Sequence, residues 1–220
     1  MRVFRYTIEL RDFLFYAQEG ITGTVTPRWL HATALNYALA YAMNLFPEKQ
    51  PYFMATAEGR NVPEYTSSLI PEAGYYATPA RIENKRGMKP EVFLVKGDRE
   101  GYYARNVQAE VLRVSRVSML PPGTRFIGFI VCREDMTFPG RLRLGRFRSP
   151  AGLHLEEADD AEFCGDRVAS HPVDPLVSGT RRGVLVPMLP YPLIDHALVG
   201  RCLATKFDNR LYYVAWPDDW

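Results

Sequence analysis

The chain has 220 residues, of which 47% are hydrophobic and 24% are charged, and its formal net charge at pH 7 is +2. These values are ordinary for a globular protein, and they exclude one that binds nucleic acid through overall charge alone. The first ten residues alternate in polarity, so we expect no signal peptide. Polar residues interrupt the longest apolar helical stretch, so we also expect no membrane-spanning helix.

A strand and then a helix are predicted at the start of the chain. Apolar and polar residues alternate between positions 4 and 10, which is typical of a strand with one buried face. Thr26 is the expected N-cap, and Pro27 the first residue, of a helix that ends near Pro47 and has an apolar stripe that includes Leu35.

The middle of the chain predicts short strands. Residues 47–104 are punctuated by prolines and are interpreted as an insertion. Two strands, over 106–119 and 125–133, are expected to pair across the turn at 121–124. The whole pattern predicts an α+β fold, with a helix on a ferredoxin-like or RRM-like antiparallel sheet. We expect a core domain over 1–150 and a β-rich extension, packed on the core, over 151–220.

An arginine-rich strand at 141–152 is the most informative feature of the sequence. A bulge at Gly145 would place all four arginines of this stretch on one face, with Leu142, Leu144 and Phe147 on the other. Guanidinium groups are suited to phosphate recognition, although a charged edge strand that resists aggregation would have the same pattern. The four arginines are Arg141, Arg143, Arg146 and Arg148.

The surroundings of this strand are basic even though the whole chain is nearly neutral. Residues 105–148 contain nine arginines and three acidic residues. An acidic run follows between Glu156 and Asp166, and we interpret it as a solvated loop because no histidine or cysteine pair accompanies it as metal ligands would. We therefore predict a confined basic face, no metal site and no cofactor.

Three further candidate sites carry weaker signals. The glycine-flanked turn at 178–183 contains Arg181 and Arg182 and could hold a phosphate, or could simply be a hairpin. Tyr75 and Tyr76 could stack on unpaired bases, although strand tyrosines are as often buried. His31 could act as a general base in RNA cleavage, but a single helical histidine is more often structural.

The cysteines predict a reducing compartment. Cys132, Cys164 and Cys202 are odd in number and widely spaced, so they suggest neither a disulfide framework nor a zinc site. Cys132 lies in an apolar run and is expected to be a buried thiol. We expect the protein to be cytoplasmic.

Four segments, in this order, resemble one known family. They are LHATALNYALAYAM in the first helix, YYATPAR at 75–81, PPGTRFIGFIV at 121–131 and RLRLGRFRSPA at 141–151. Together they resemble a CRISPR-associated RAMP protein, the Cas-five-type subunit of type I-D Cascade, also called the Csc-one family. The chain departs from the expected pattern at Pro150, where a lysine is expected.

The resemblance implies an RRM-like, non-catalytic subunit of a Cascade surveillance complex in antiviral defence. Such subunits bind the 5′ handle of the CRISPR RNA and link the backbone subunits to the large subunit. The arginines of 141–148 would then contact handle phosphates, and Tyr75, Tyr76 and Arg81 would contact a partner or nucleic acid. The resemblance does not say whether target DNA is also contacted.

Two other functions fit the same residues. The chain could be a metal-independent endoribonuclease that processes precursor CRISPR RNA with His31 as general base, as some relatives in another subtype do. Type I-D systems have a separate processing subunit, which argues against this function. Alternatively, the arginines could contact an acidic protein neighbour, in which case the chain would serve protein interaction alone.

Overall fold

The computed structural model describes residues 1–16, 18–20, 23–45, 68–83, 91–96, 114–145 and 148–220. Within these ranges the chain is mostly β-structure and has one α-helix, α1 (Ala32–Ala42). This content is compatible with the α+β class, whereas the ferredoxin-like topology stays a prediction. Much of the predicted insertion at 47–104 lies outside the described residues, as do Arg146 and Phe147.

The main sheet has seven strands in the described part of the chain. The strands are β1 (Arg2–Leu10), β4 (Trp29–Leu30), β5 (Tyr75–Ala77), β6 (Ala80–Ile82), β9 (Arg125–Cys132), β10 (Arg141–Leu144) and β11 (Ser149–Glu157). Their order in the sheet is β10–β11–β1–β9–β6–β4, and β5 also pairs with β9. β1 lies between β11 and β9 and is antiparallel to both.

The helix packs on one face of the main sheet. Leu35 and Leu39 of α1 belong to one buried cluster with Tyr6 and Ile8 of β1 and with Leu142 of β10. These sheet residues are the alternate apolar positions of their strands, as the sequence predicts for β1. Burial of each large aliphatic side chain stabilises the fold by roughly 1.5–3 kcal/mol.

The helix begins five residues later than predicted. His31 is its N-cap, and the His31 Nδ1 atom accepts a hydrogen bond of 3.1 Å from the Thr33 N–H. Thr26 cannot cap the helix because its hydroxyl accepts from the Tyr16 N–H, and because the intervening Trp29 and Leu30 pair with β6 at the sheet edge. Tertiary pairing has therefore overridden the local cap signal.

A second, four-stranded sheet corrects the predicted hairpin. It consists of β2 (Gln18–Gly20), β3 (Gly23–Val25), β7 (Glu91–Lys96) and β8 (Val114–Met119). β8 pairs with β7 and β3, whereas β9 pairs with β1, β5 and β6. The prediction that the strands on either side of 121–124 pair with each other is therefore wrong, because the turn sends them into different sheets.

Two small sheets lie in the C-terminal part. One contains β12 (Ala161–Cys164), β16 (Cys202–Phe207) and β17 (Arg210–Ala215), and the other contains β13 (Arg167–Val168), β14 (Thr180–Val186) and β15 (Leu193–Val199). Leu203 and Phe207 of β16 form a buried cluster with Phe129 and Val131 of β9. The first small sheet thus covers part of the main-sheet face opposite α1.

Cys164 and Cys202 form a disulfide, which corrects the prediction from cysteine spacing. The two residues are direct cross-strand partners of β12 and β16, and their Cα atoms are 5.4 Å apart. Strand pairing brings together cysteines that are 38 residues apart in the chain. Cys132 is a buried free thiol, as predicted, and burial raises its pKa to about 12.

The division at residue 150 stays a prediction, although β11 crosses it and belongs to the main sheet. In the part of the chain that the structure describes, no helix is long and apolar enough to span a membrane.

Candidate nucleic-acid interface

Two of the predicted arginines lie side by side on strand β10. Arg141 and Arg143 are exposed, whereas Leu142 and Leu144, which alternate with them, are 3% and 2% exposed. This alternation confirms that the apolar side of the arginine-rich strand belongs to the core, as the sequence predicts. The strand therefore directs the two arginine side chains to the face of the main sheet opposite α1.

The strand register extends this face across the sheet. Directly opposite residues of paired strands share a face. Arg141 lies opposite Gly152 and, two positions along β11, the exposed His154 lies opposite Thr7 of β1. Thr7 in turn lies opposite Ile127 of β9, and Ile127 lies opposite Arg81 of β6.

We call the solvent-accessible part of this surface the open face. It consists of exposed or half-buried side chains from five adjacent strands, and the C-terminal sheet leaves it uncovered. Its members are Thr7, Glu9, Arg81, Arg125, Ile127, Arg141, Arg143 and His154. The surface thus carries four arginines against one glutamate.

Three arginines of the open face, Arg81 of β6 and Arg141 and Arg143 of β10, have no ion-pair partner among the described residues. Glu9 is paired with Arg11 at 2.9 Å, and Arg125 is paired with Glu83 at 3.4 Å. No carboxylate of the described residues forms an ion pair with Arg141 or Arg143. Their guanidinium groups are therefore available to an anion, and the geometry of a guanidinium fork matches a phosphate as well as a carboxylate.

Gly145 occupies a tight turn, and the predicted bulge inside a continuous strand is wrong. β10 ends at Leu144, which pairs with Ser149, and the Arg148 N–H donates to the Gly145 carbonyl at 3.1 Å. Gly145 has φ +72°, and a Cβ there would meet the Phe15 carbonyl oxygen at 2.6 Å. The turn places Arg148 in the hairpin connection, exposed and with φ +54°.

Tyr75 and Tyr76 do not form a surface contact site in this structure. Each is 1% exposed, and the Tyr75 hydroxyl donates to the Asn36 carbonyl oxygen at 2.7 Å. Burial raises the pKa of both phenols. Both sides of β5 are covered, Tyr75 by the helix cluster and Tyr76 by the C-terminal cluster, so the sequence prediction of a stacking pair is wrong. Arg81 is exposed on the open face.

Arg181 and Arg182 lie on strand β14, whereas the sequence predicts that they lie in a turn that could bind a phosphate. Both are exposed on β14, in a different sheet from the open face, and Arg181 pairs with Asp166 at 2.5 Å. The Gly179 N–H, which could have bound an anion, donates to the Asp218 carboxylate at 2.6 Å. An internal carboxylate therefore already occupies this backbone donor.

His31 is positioned as a structural residue. Its side chain is 3% exposed, its Nδ1 atom caps α1, and its Nε2 atom is 3.2 Å from the Tyr191 carbonyl oxygen. Burial lowers the pKa of His31 despite the nearby Asp174. Because both ring nitrogens are engaged, neither is available to abstract a proton from RNA in this structure.

The acidic run is only in part the predicted solvated loop: Asp159 and Asp160 lie in the exposed connection between β11 and β12, whereas Glu156 and Glu157 belong to β11. Glu156 pairs with Arg5, and Glu157 pairs with Arg2, across the β1–β11 ladder. The hydrogen bonds from Arg2 hold the pKa of Glu157 below its usual value. Among the described residues there is no cluster of three or more side chains that could hold a metal ion.

Sequence reasoning missed five members of the open face: Thr7, Glu9, Arg125, Ile127 and His154. The alternation of β1 and β9 already marks the outward positions of Thr7 and Arg125. His154 adjoins Arg141 through the local β10–β11 hairpin, whereas the register that brings β1 and β9 beside it depends on pairings between residues more than a hundred positions apart.

Comparison with known families places the chain among the CRISPR-associated proteins. Residues 1–214 match the family described as type I-D CRISPR-associated protein Cas5/Csc1. The chain therefore belongs to the Cas5/Csc1 family, which confirms the resemblance seen in its motifs and supports a role in a type I-D CRISPR Cascade complex. Among curated proteins, no match to the chain is found.

Proposed function

We propose that this chain is a non-catalytic, RNA-binding subunit of a type I-D Cascade complex in the cytoplasm. On this proposal the open face binds the 5′ handle of the CRISPR RNA, and other surfaces link the backbone subunits to the large subunit. The observation that supports it most strongly is the exposure of Arg141 and Arg143, without carboxylate partners among the described residues, on a rigid strand.

The arrangement suits binding to an RNA backbone. A strand places alternate side chains on one face at about 6.6 Å intervals, so Arg141 and Arg143 offer two neighbouring guanidinium groups to successive anionic groups. Packing of Leu142 and Leu144 in the core fixes the backbone that bears them. Phosphate contacts of this kind supply affinity without sequence readout, and they weaken with increasing salt.

His31 gives no support to a nuclease function. A general base needs an accessible nitrogen within hydrogen-bonding reach of the proton that it removes. The Nδ1 atom of His31 is the helix cap, and its Nε2 atom contacts a carbonyl oxygen. The proposed role is therefore binding without cleavage.

The proposal can be tested by crosslinking within the assembled complex. CRISPR RNA that carries 4-thiouridine at single handle positions is incorporated into Cascade, irradiated and digested, and the crosslinked peptides are identified by mass spectrometry. We expect crosslinks in β10, β11 or the outward positions of β1. Handle crosslinks that map only to other subunits would contradict the proposal that this surface binds the RNA.

A further inference from the structure

An aromatic cluster lies at the surface of the sheet that contains β12, β16 and β17. Phe163 of β12 is 54% exposed, and its ring is edge-on to the buried Trp216 ring at a centroid distance of 5.1 Å. Trp216 in turn contacts the Trp220 ring at 5.5 Å. The cluster thus holds an exposed ring on a packed aromatic base of two tryptophans.

A guanidinium group completes this cluster. The Arg201 guanidinium carbon is 5.2 Å from the centre of the Phe163 ring and 5.8 Å from that of Trp216. The Arg201 Nη1 atom donates to the Trp220 main-chain oxygen at 2.9 Å, and no Asp or Glu side chain of the described residues forms an ion pair with Arg201. The nearby Asp166 is paired with Arg181. The Arg201 guanidinium therefore lies over one face of an exposed ring.

We propose that Phe163 and Arg201, supported by Trp216 and Trp220, form a stacking platform for an unpaired nucleobase of single-stranded nucleic acid. A nucleobase stacks on an aromatic ring whatever its sequence, and an adjacent guanidinium attracts the phosphate that follows the base. The exposed surface is a single ring next to a guanidinium, a combination that fits a base and its phosphate.

The fold holds the two central residues of the platform in place. Phe163 directly precedes Cys164, and Arg201 directly precedes Cys202, and these two cysteines are the cross-strand disulfide partners. A covalent link one residue away from both side chains restricts the separation of their strands. The ring and the guanidinium are therefore preorganised, which lowers the entropic cost of binding a base.

The platform lies on a different sheet from the open face. The two proposed sites have in common only that each would bind nucleic acid. The two claims can fail separately. Loss of RNA affinity on replacement of Arg141 and Arg143, with no effect of Phe163 variants, would overturn the platform and leave the proposed function standing. Loss of RNA affinity in the Phe163 variants, with no effect of replacing Arg141 and Arg143, would support the platform and contradict RNA binding by the open face.

The test uses the full chain and a short single-stranded RNA that contains one 2-aminopurine, with single-stranded DNA of the same sequence as a second probe. Stacking quenches 2-aminopurine fluorescence, and fluorescence anisotropy gives the affinity. We expect Phe163→Ala and Phe163→Leu each to weaken binding at least about fivefold and to abolish the quenching, whereas Phe163→Tyr stays within about twofold. Phe163→Leu keeps most of the apolar volume, so that loss of the π-surface is separated from loss of packing.

Matched controls lie on β17 of the same sheet. Leu211 is 51% exposed, and Leu211→Ala should bind as the wild type does. Arg201→Ala should weaken binding, whereas Arg210→Ala, which removes one exposed arginine from the same sheet, should not. Unchanged affinity and unchanged quenching in Phe163→Leu would overturn the platform, as would equal losses in Phe163→Leu and Leu211→Ala.

Discussion

Arg143 lies directly opposite Pro150 across the β10–β11 ladder, and its Nη1 atom donates to the Arg148 carbonyl oxygen at 3.2 Å. The side chain therefore reaches along the open face to the hairpin turn that Gly145 begins. Pro150 occupies the position where the family resemblance leads one to expect a lysine. The basic character of this corner of the sheet consequently depends on Arg143 and on the conformation of the turn.

The turn depends on glycine at position 145. We expect Gly145→Ala to lower the free energy of unfolding by about 1–3 kcal/mol, because the residue has a positive φ and because the added Cβ would approach the Phe15 carbonyl oxygen. Gly140→Ala is the matched control, since nothing lies within 4 Å of a Cβ at that position. Urea denaturation of both variants measures the difference, and equal stabilities would contradict this description of the turn.

A buried histidine should make the stability of the fold depend on pH. The His171 Nδ1 atom is 2.6 Å from the Pro172 carbonyl oxygen, and its Nε2 atom accepts from the Ala215 N–H at 3.0 Å. Burial lowers the pKa of His171 to about 4, because the charged imidazolium loses its hydration and because Nε2 must remain an acceptor. The folded protein therefore keeps this imidazole neutral.

The sign of the effect follows from the lowered pKa. The unfolded chain binds the proton below its ordinary pKa of about 6.5 and the folded chain only near 4, so stability falls as the pH falls between these values. We expect His171 to account for a loss of about 2 kcal/mol between pH 7.5 and pH 5. His171→Gln should be less stable at pH 7.5 and should lose less stability on acidification. Parallel pH profiles for the two proteins would refute the assignment.

Much of the main sheet can be predicted from sequence, but its pairings cannot. The alternation of β1, the apolar run of β9 and the buried leucines of β10 all depend on local periodicity, and the structure confirms them. The start of α1, the partner of β8 and the Cys164–Cys202 pair depend on contacts between distant segments. The prediction that Thr26 caps the helix is wrong because the Thr26 hydroxyl accepts a hydrogen bond from the Tyr16 N–H.

The same distinction applies to the candidate site. Exposure of Arg141 and Arg143 follows from the alternation of their strand, whereas burial of Tyr75 and Tyr76 follows from layers that cover both sides of β5. No local pattern distinguishes a tyrosine pair covered on both sides from one with an exposed member. For this reason the arginines could be found from the sequence and the tyrosines could not.

The three cysteines should differ in reactivity. We expect digestion without reductant to yield a peptide pair joined through Cys164 and Cys202, and iodoacetamide to modify Cys132 only after unfolding, because that thiol is buried and its pKa is raised to about 12. Reduction should destabilise the chain by about 4 kcal/mol if the loop-closure description of disulfide stabilisation applies. Thiol counting and denaturation with and without dithiothreitol test both expectations. Alkylation of all three cysteines in the native, unreduced protein would contradict them.

The purified chain should not cleave RNA through His31. We expect hairpin precursor CRISPR RNA to remain intact in EDTA between about pH 6 and pH 9, the interval that spans histidine titration. His31→Ala should instead lower stability by about 1 kcal/mol, as expected for loss of a helix cap. Gel analysis of the RNA measures cleavage, and metal-independent cleavage that His31→Ala abolishes would establish the nuclease function instead.

The most direct test of the open face is the salt dependence of handle RNA binding by the wild type and by the double variant Arg141→Ala/Arg143→Ala. We expect the double variant to bind at least about tenfold more weakly at low salt, and the slope of log Kd against log salt concentration to fall by about 1.4, since each phosphate contact with a single strand contributes about 0.7. The double variant Arg167→Ala/Arg210→Ala, which removes the same charge from two exposed arginines of the C-terminal sheets, should retain the wild-type slope. Equal slopes and equal affinities for the Arg141→Ala/Arg143→Ala protein and the wild type would contradict the proposal that this face binds the RNA backbone.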